Sequence, residues 1–178
     1  MRDGGRSADE LLAPAAPVQR FEPRDPAARE LLATVWTHVV PRDVSALRVV
    51  PDAAIDLVFA GEGLRVAGPD TRAVLESIPP GTRVLGFQLR PGAAESLLGV
   101  PATEVRDDRV DIRDLWGSAG SDVLEAMQDA PDVRRAATAL ETQVIRRRQH
   151  GTAADGLAGA LVESRRRPGG RHDAVPCG

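Results

Sequence analysis

The sequence predicts an α+β protein, a small antiparallel β-barrel or sandwich followed by packed helices. Three observations carry this expectation. Between residues 47 and 89, short apolar segments are separated by Pro/Gly turns, the pattern of an antiparallel β structure. From residue 93 onward, apolar positions recur at helical spacing. The composition, 42% hydrophobic and 28% charged over 178 residues, is that of a globular protein with room for a sizeable core. Long helices alternating with strands are missing, which argues against a dinucleotide-binding sheet.

The first 20 residues read as a loose arm. In Asp25–Val40, Asp25-Pro26 is a helix start, and Leu31, Leu32, Val35 and Trp36 fall at helical spacing. The β-branched run that follows predicts an extended chain from about Trp36 until Pro41. Leu47–Val50 and Ile55–Phe59 then read as two strands joined by the Pro51-Asp52 turn. Gly61–Gly63 is a tight connection to the short strand Leu64–Val66. In Thr82–Leu89, Val84, Gly86 and Gln88 alternate with Leu85, Phe87 and Leu89, a strand with one apolar face.

Ala93–Leu98 reads as a short helix ending before Gly99. The acidic stretch with Asp107, Asp108, Asp111 and Asp114 reads as a solvated loop, with Asp114 a cap that sets Trp116 into the core. Ser118–Met127 follows as a helix with Val123, Leu124 and Met127 on one face. A stronger helix is expected from about Asp132 to Gln149. Its stripe Val133, Ala137, Leu140 and Val144 suits either an inter-subunit seam or the buried face of a helix on its own domain. The expected organisation is a β-rich domain at 18–130, a helical linker or dimerisation segment at 131–164 and a disordered tail at 165–178.

Charge and composition exclude several kinds of chemistry. The formal net charge is −3, and the five aromatics include no Tyr, so a stacking platform for single-stranded nucleic acid is not expected. From Arg146 to the end, seven Arg stand against three acids, a modest basic end suited to a solvated helix terminus. One Cys, Cys177, excludes an internal disulfide and a cysteine-rich zinc site. The three His lack ligand spacing, so no metal and no cofactor are expected, and His38 and His150 read as satisfied polar groups. The acidic run lacks the glycine and terminal Glu of a calcium loop. No nucleophile elbow or phosphate loop is present, and the chain is not expected to be an enzyme. No secretory or membrane-spanning stretch is seen, which makes the cytoplasm the expected compartment. Asp56, inside an apolar strand, is either a surface residue or a polar anchor at the mouth of a pocket.

Four segments combine into a recognisable order: Val49–Phe59, Val66–Thr71, Leu89–Ala102 and Val110–Gly117. Together they resemble the N-terminal domain of one branch of the AraC-type transcriptional regulators, over about Val18 to Ser164. In that branch a small β-rich domain precedes a helical linker and a DNA-binding domain with two helix-turn-helix units. The resemblance implies a regulatory module that senses a small-molecule effector or dimerises, as a homodimer or with a related regulator. The candidate ligand-binding residues are Trp36, Asp56, Phe87 and Arg90. The candidate dimer interface is the stripe Val133, Ala137, Leu140 and Val144. No helix-turn-helix pattern follows Ser164, so direct nucleic-acid binding by this chain is not expected. Two other functions remain open at this stage. One is a small-molecule-binding protein or enzyme on a β-barrel; the other is an interaction module pairing with a full-length regulator.

Overall fold

The computed structural model describes residues 18–44 and 46–150. Expectations for the first arm, the end of the linker and the tail lie outside the described residues. Among the described residues, eight strands and four α-helices follow one another as β1 (Gln19–Phe21), β2 (Leu32–Val39), β3 (Leu47–Val49), β4 (Asp56–Ala60), β5 (Gly63–Ala67), β6 (Val74–Glu76), β7 (Arg83–Leu89), α1 (Ala93–Leu98), β8 (Arg109–Asp111), α2 (Ile112–Trp116), α3 (Ser118–Gln128) and α4 (Val133–His150). This is an α+β fold. Six strands form one antiparallel sheet in the order β1-β2-β7-β4-β5-β8, and β3 pairs with β6 in a separate two-stranded sheet.

The cross-strand register divides the large sheet into two faces, because successive side chains of a strand alternate. One row runs Val35–Phe87–Leu57–Val66–Val110. All five are buried and belong to the hydrophobic core. The four helices complete that core with Leu97, Leu98, Leu115, Trp116, Met127 and Leu140. The neighbouring row of the opposite face runs Trp36–Gly86–Val58–Arg65–Asp111. Its mixed composition marks a face that does not pack on the helices.

Several local expectations are corrected. Asp25–Val40 is not a helix. Asp25 accepts a hydrogen bond from the Ala27 amide at 2.8 Å, a single 3-10 turn covers Ala28–Glu30, and Leu32–Val39 is a full strand. The register against β7 shifts between Leu32 and Thr34, so Leu32 and Val35, three apart, are both buried in the core. A β-bulge thus imitates helical spacing. Leu47–Val49 pairs with Val74–Glu76 and not with the strand after Pro51-Asp52. The hairpin through Gly61-Glu62 forms as expected, with Gly61 at φ +61°. Asp111, rather than Asp114, caps α2 by accepting from the Arg113 amide at 2.9 Å.

Trp116 is a core anchor, 1% exposed, and its indole N–H donates to the Leu97 carbonyl at 3.1 Å. Arg147 reaches the same carbonyl from α4 and lies 5.0 Å from the centre of the Trp116 ring. Leu97 sits in the last turn of α1, where carbonyls have no partner inside the helix. Two side chains from two later helices therefore finish α1. Glu141 of α4 is buried, and its carboxylate accepts from the Arg24 and Asp25 amides at 3.0–3.1 Å. This ties the segment before β2 to the helical layer.

Of the two readings of the α4 stripe, inter-subunit seam or buried face, the contacts within the chain fit the second. Ala137, Leu140 and Val144 are buried within the single chain, and Val133 packs against the same core half-buried. The stripe faces its own domain, so α4 is part of that domain and not a separate linker.

Candidate functional site

The polar face of the large sheet, opposite the helices, borders a cavity of about 560 Å³. Its floor is built from three cross-strand rows. The first contributes Trp36, Val58, Arg65 and Asp111. The second contributes His38, Val84, Ala60 and Gly63, and the third Asp56, Ala67 and Arg109. The small β3/β6 sheet supplies Leu47, Val49 and Glu76, and the segment after it supplies Ser77, Ile78 and Pro79. A volume of this size, with apolar walls and a few convergent polar groups, is typical of small-molecule pockets.

Trp36 and Asp56 meet at one end of this floor. Trp36 is on β2 and Asp56 on β4, with β7 between them. The indole spans β7 over Gly86, and its N–H donates to Asp56 Oδ1 at 2.8 Å. A Cβ at residue 86 would stand 2.0 Å from the indole Cε2 and 2.1 Å from Cζ2. Gly86 is therefore required here: only a bare backbone lets the ring lie on the strand. The Asp56 carboxyl is raised above the ordinary aspartate range, first because burial penalises its charged form and then because Asp52 adds a like charge. The Trp36 hydrogen bond and the charges of Arg20 and Arg109 oppose this.

Arg109 joins the large sheet to the small one. Its guanidinium makes a two-pronged pair with Asp70 at 2.7 and 2.9 Å, and its Nε donates to Glu76 at the end of β6. Asp70, then Glu76, hold the guanidinium well above the usual arginine range. Beside it, Arg113 pairs with Asp111 at 2.7 Å and holds that carboxyl below its ordinary value. Asp107, in the acidic loop, accepts from the Thr71 amide and hydroxyl, which lower its proton affinity. The acidic run thus consists of one turn acceptor, one helix cap and supporting partners. No group of three His, Cys, Asp or Glu among the described residues is placed to hold a metal ion.

His38 is the residue that sequence reasoning misjudged. It lines the cavity, is 5% exposed, and neither ring nitrogen has a hydrogen-bond partner among the described residues. Its position two residues after Trp36, on the same face of the stretch expected to be extended, was the available signal. His150, by contrast, meets the Arg146 carbonyl at 2.8 Å through Nδ1.

Of the four candidate ligand residues, the structure brings Trp36 and Asp56 together and separates the other two. Phe87 is fully buried on the helical face of β7, one residue from Gly86 and so on the opposite side of the sheet. Arg90 lies past the end of β7, exposed, with its Nε donating to the Arg29 carbonyl. Among the described residues, no helix is long and apolar enough to cross a membrane.

No curated protein and no solved structure matches the chain. One family model does, over residues 19–111, from the start of β1 to the end of β8. It covers every strand and the whole floor of the cavity, and stops where α2 begins. Its description is Domain of unknown function (DUF6597), and it spans more than half of the sequence, so the chain belongs to that family.

Proposed function

We propose that this protein is a small-molecule-sensing module of an AraC-like regulatory protein, with the cavity between the two sheets as its effector site. The observation that carries the reading is His38. A buried imidazole with no partner among the described residues for either nitrogen costs stability, about 1–3 kcal/mol for each unmet polar group. Such a cost inside a cavity fits a group kept for a ligand. The small sheet facing the large one across the cavity suits the sandwich-like domain that the resemblance implies. Three of the four resembling segments fit the same picture, since Val49, Asp56, Val58, Ala67, Asp111 and Arg113 within them line the cavity, while Leu89–Ala102 contributes no lining residue.

Binding rather than dimerisation is the favoured role, because the α4 stripe is already covered by its own domain. Pairing with a second copy or a related regulator would have to use another surface. The test is a thermal-shift screen of the purified chain against amines, carboxylates, polyols and aromatic compounds, joined to native mass measurement for a retained molecule. A compound that raises the melting temperature by several degrees for the wild type, and by much less for His38→Leu, supports the reading. A chain that responds to no compound and retains none overturns it.

A further inference from the structure

We infer that the Trp36–Asp56 end of the cavity takes a small organic cation, an ammonium group on an apolar body, held between the indole face and the Asp56 carboxylate. This rests on the cavity being a ligand site, and it names the ligand's chemistry. The indole covers Gly86 with one face, as the 2.0 Å approach to a built Cβ requires. Trp36 is half-buried and lines the cavity, so part of the ring is open to it. An aromatic face beside a carboxylate is the arrangement that attracts ammonium ions.

The hydrogen bonding points the same way. Asp56 Oδ1 is taken by the indole N–H, while Oδ2 accepts no hydrogen bond among the described residues. Asp52 stands near enough to act on Asp56 with a like charge, which a bound cation would relieve. Around the cavity, Glu76 and Asp111 are paired with Arg109 and Arg113, which leaves Asp56 and Glu62 against Arg65. Two of these guanidiniums are already engaged, Arg109 by Asp70 and Glu76 and Arg113 by Asp111. Arg65 lies beside Asp111 in the cross-strand row, on the strand next to that of Asp56 but two residues along it and opposite Val58. An anion at this end would meet the like charges of Asp56 and Asp52. Arg20, paired with Trp36 across β1 and β2, and Arg109 act on Asp56 from a distance, but neither donates a hydrogen bond to its carboxylate.

The experiment compares three near-isosteric probes by calorimetry at pH 7.5 with the full chain: 2-phenylethylammonium, 2-phenylethanol and phenylacetate. The ammonium is expected to bind at least tenfold more tightly than the other two. Asp56→Asn keeps an acceptor for the indole and is expected to lose at least tenfold for the ammonium while changing the alcohol by less than twofold. Asp52→Asn gives a smaller loss of the same sign and serves if the first variant fails to fold. Equal or tighter binding of the alcohol or carboxylate overturns the cation assignment and leaves the cavity as a ligand site. Binding of none of the three also overturns it. The cavity reading itself then stands or falls on the wider screen and the His38→Leu comparison.

Discussion

Trp36 and Asp56 are joined by a 2.8 Å hydrogen bond that crosses the intervening strand above Gly86. The contact needs the absence of a side chain as much as the presence of two. Gly86→Ala puts a methyl carbon 2.0 Å from the ring, and the indole must leave its place. The expected cost is about 1–3 kcal/mol, typical of an overpacked site. The Trp36 indole N–H resonance should also lose its hydrogen-bonded shift. A variant that melts like the wild type with that resonance unmoved would show that the ring does not rest on the strand.

The burial of Asp56 predicts a pH dependence with a definite sign. Its proton affinity is raised in the folded chain, so the folded state binds that proton more tightly than the unfolded state does. The stabilisation is complete below the unfolded value of about 3.8 and is lost as pH rises through the higher folded value. Asp56→Asn cannot ionise. Its melting temperature relative to wild type should rise from pH 3.5 to pH 7, and a difference that stays constant over that range would refute the assignment.

His38→Leu should be more stable than the wild type by about 1 kcal/mol, because two buried unmet nitrogens are replaced by an apolar side chain. Most cavity substitutions destabilise, so the direction is the informative part. Denaturant melts decide it. A clear loss of stability would mean that the imidazole has partners in solution.

Leu140→Ala tests where the α4 stripe is spent. Leu140 is fully buried within one chain, and its truncation should cost about 2–5 kcal/mol. The loss should be the same at every protein concentration. A melting temperature that depends on concentration in the wild type, and no longer in the variant, would return this stripe to an inter-subunit seam.

Arg109→Ala removes the pairing of β8 with Asp70 and with Glu76 of the small sheet. Asp70 is only 6% exposed at its side chain, so its charge would be left poorly solvated. The expected loss is roughly 3 kcal/mol, with faster amide exchange confined first to β3 and β6. Uniform destabilisation of all strands would show that Arg109 does not hold the small sheet.

Much of this architecture is legible in the residues. The Gly61-Glu62 hairpin, the alternation of β7 and the helical faces of α3 and α4 each follow from local periodicity. The site is harder to read, for two physical reasons. The bulge between Leu32 and Thr34 puts two core residues three apart, so the first half of a strand looks like a helix and the sheet face shared by Trp36 and His38 cannot be counted from it. Phe87 attracts attention as an aromatic, yet the alternation that makes β7 a strand sends it to the helical side, while Gly86 carries the cavity side. The β3/β6 pairing joins segments more than twenty residues apart, and nothing local specifies that choice over the nearer strand. Glu141 shows the same limit, since its partners lie 116 and 117 residues away.

The sheet also keeps the two tryptophans apart, Trp36 on the cavity side and Trp116 in the helical layer, and the chain has no Tyr. Near-ultraviolet emission therefore comes from one fluorophore on each side of a partition. Trp36, beside a carboxyl and partly open, and Trp116, enclosed and under a guanidinium, experience different surroundings. A quencher dissolved in water reaches the first far more readily than the second. The intact protein thus reports on its two layers separately by its own light, without a label.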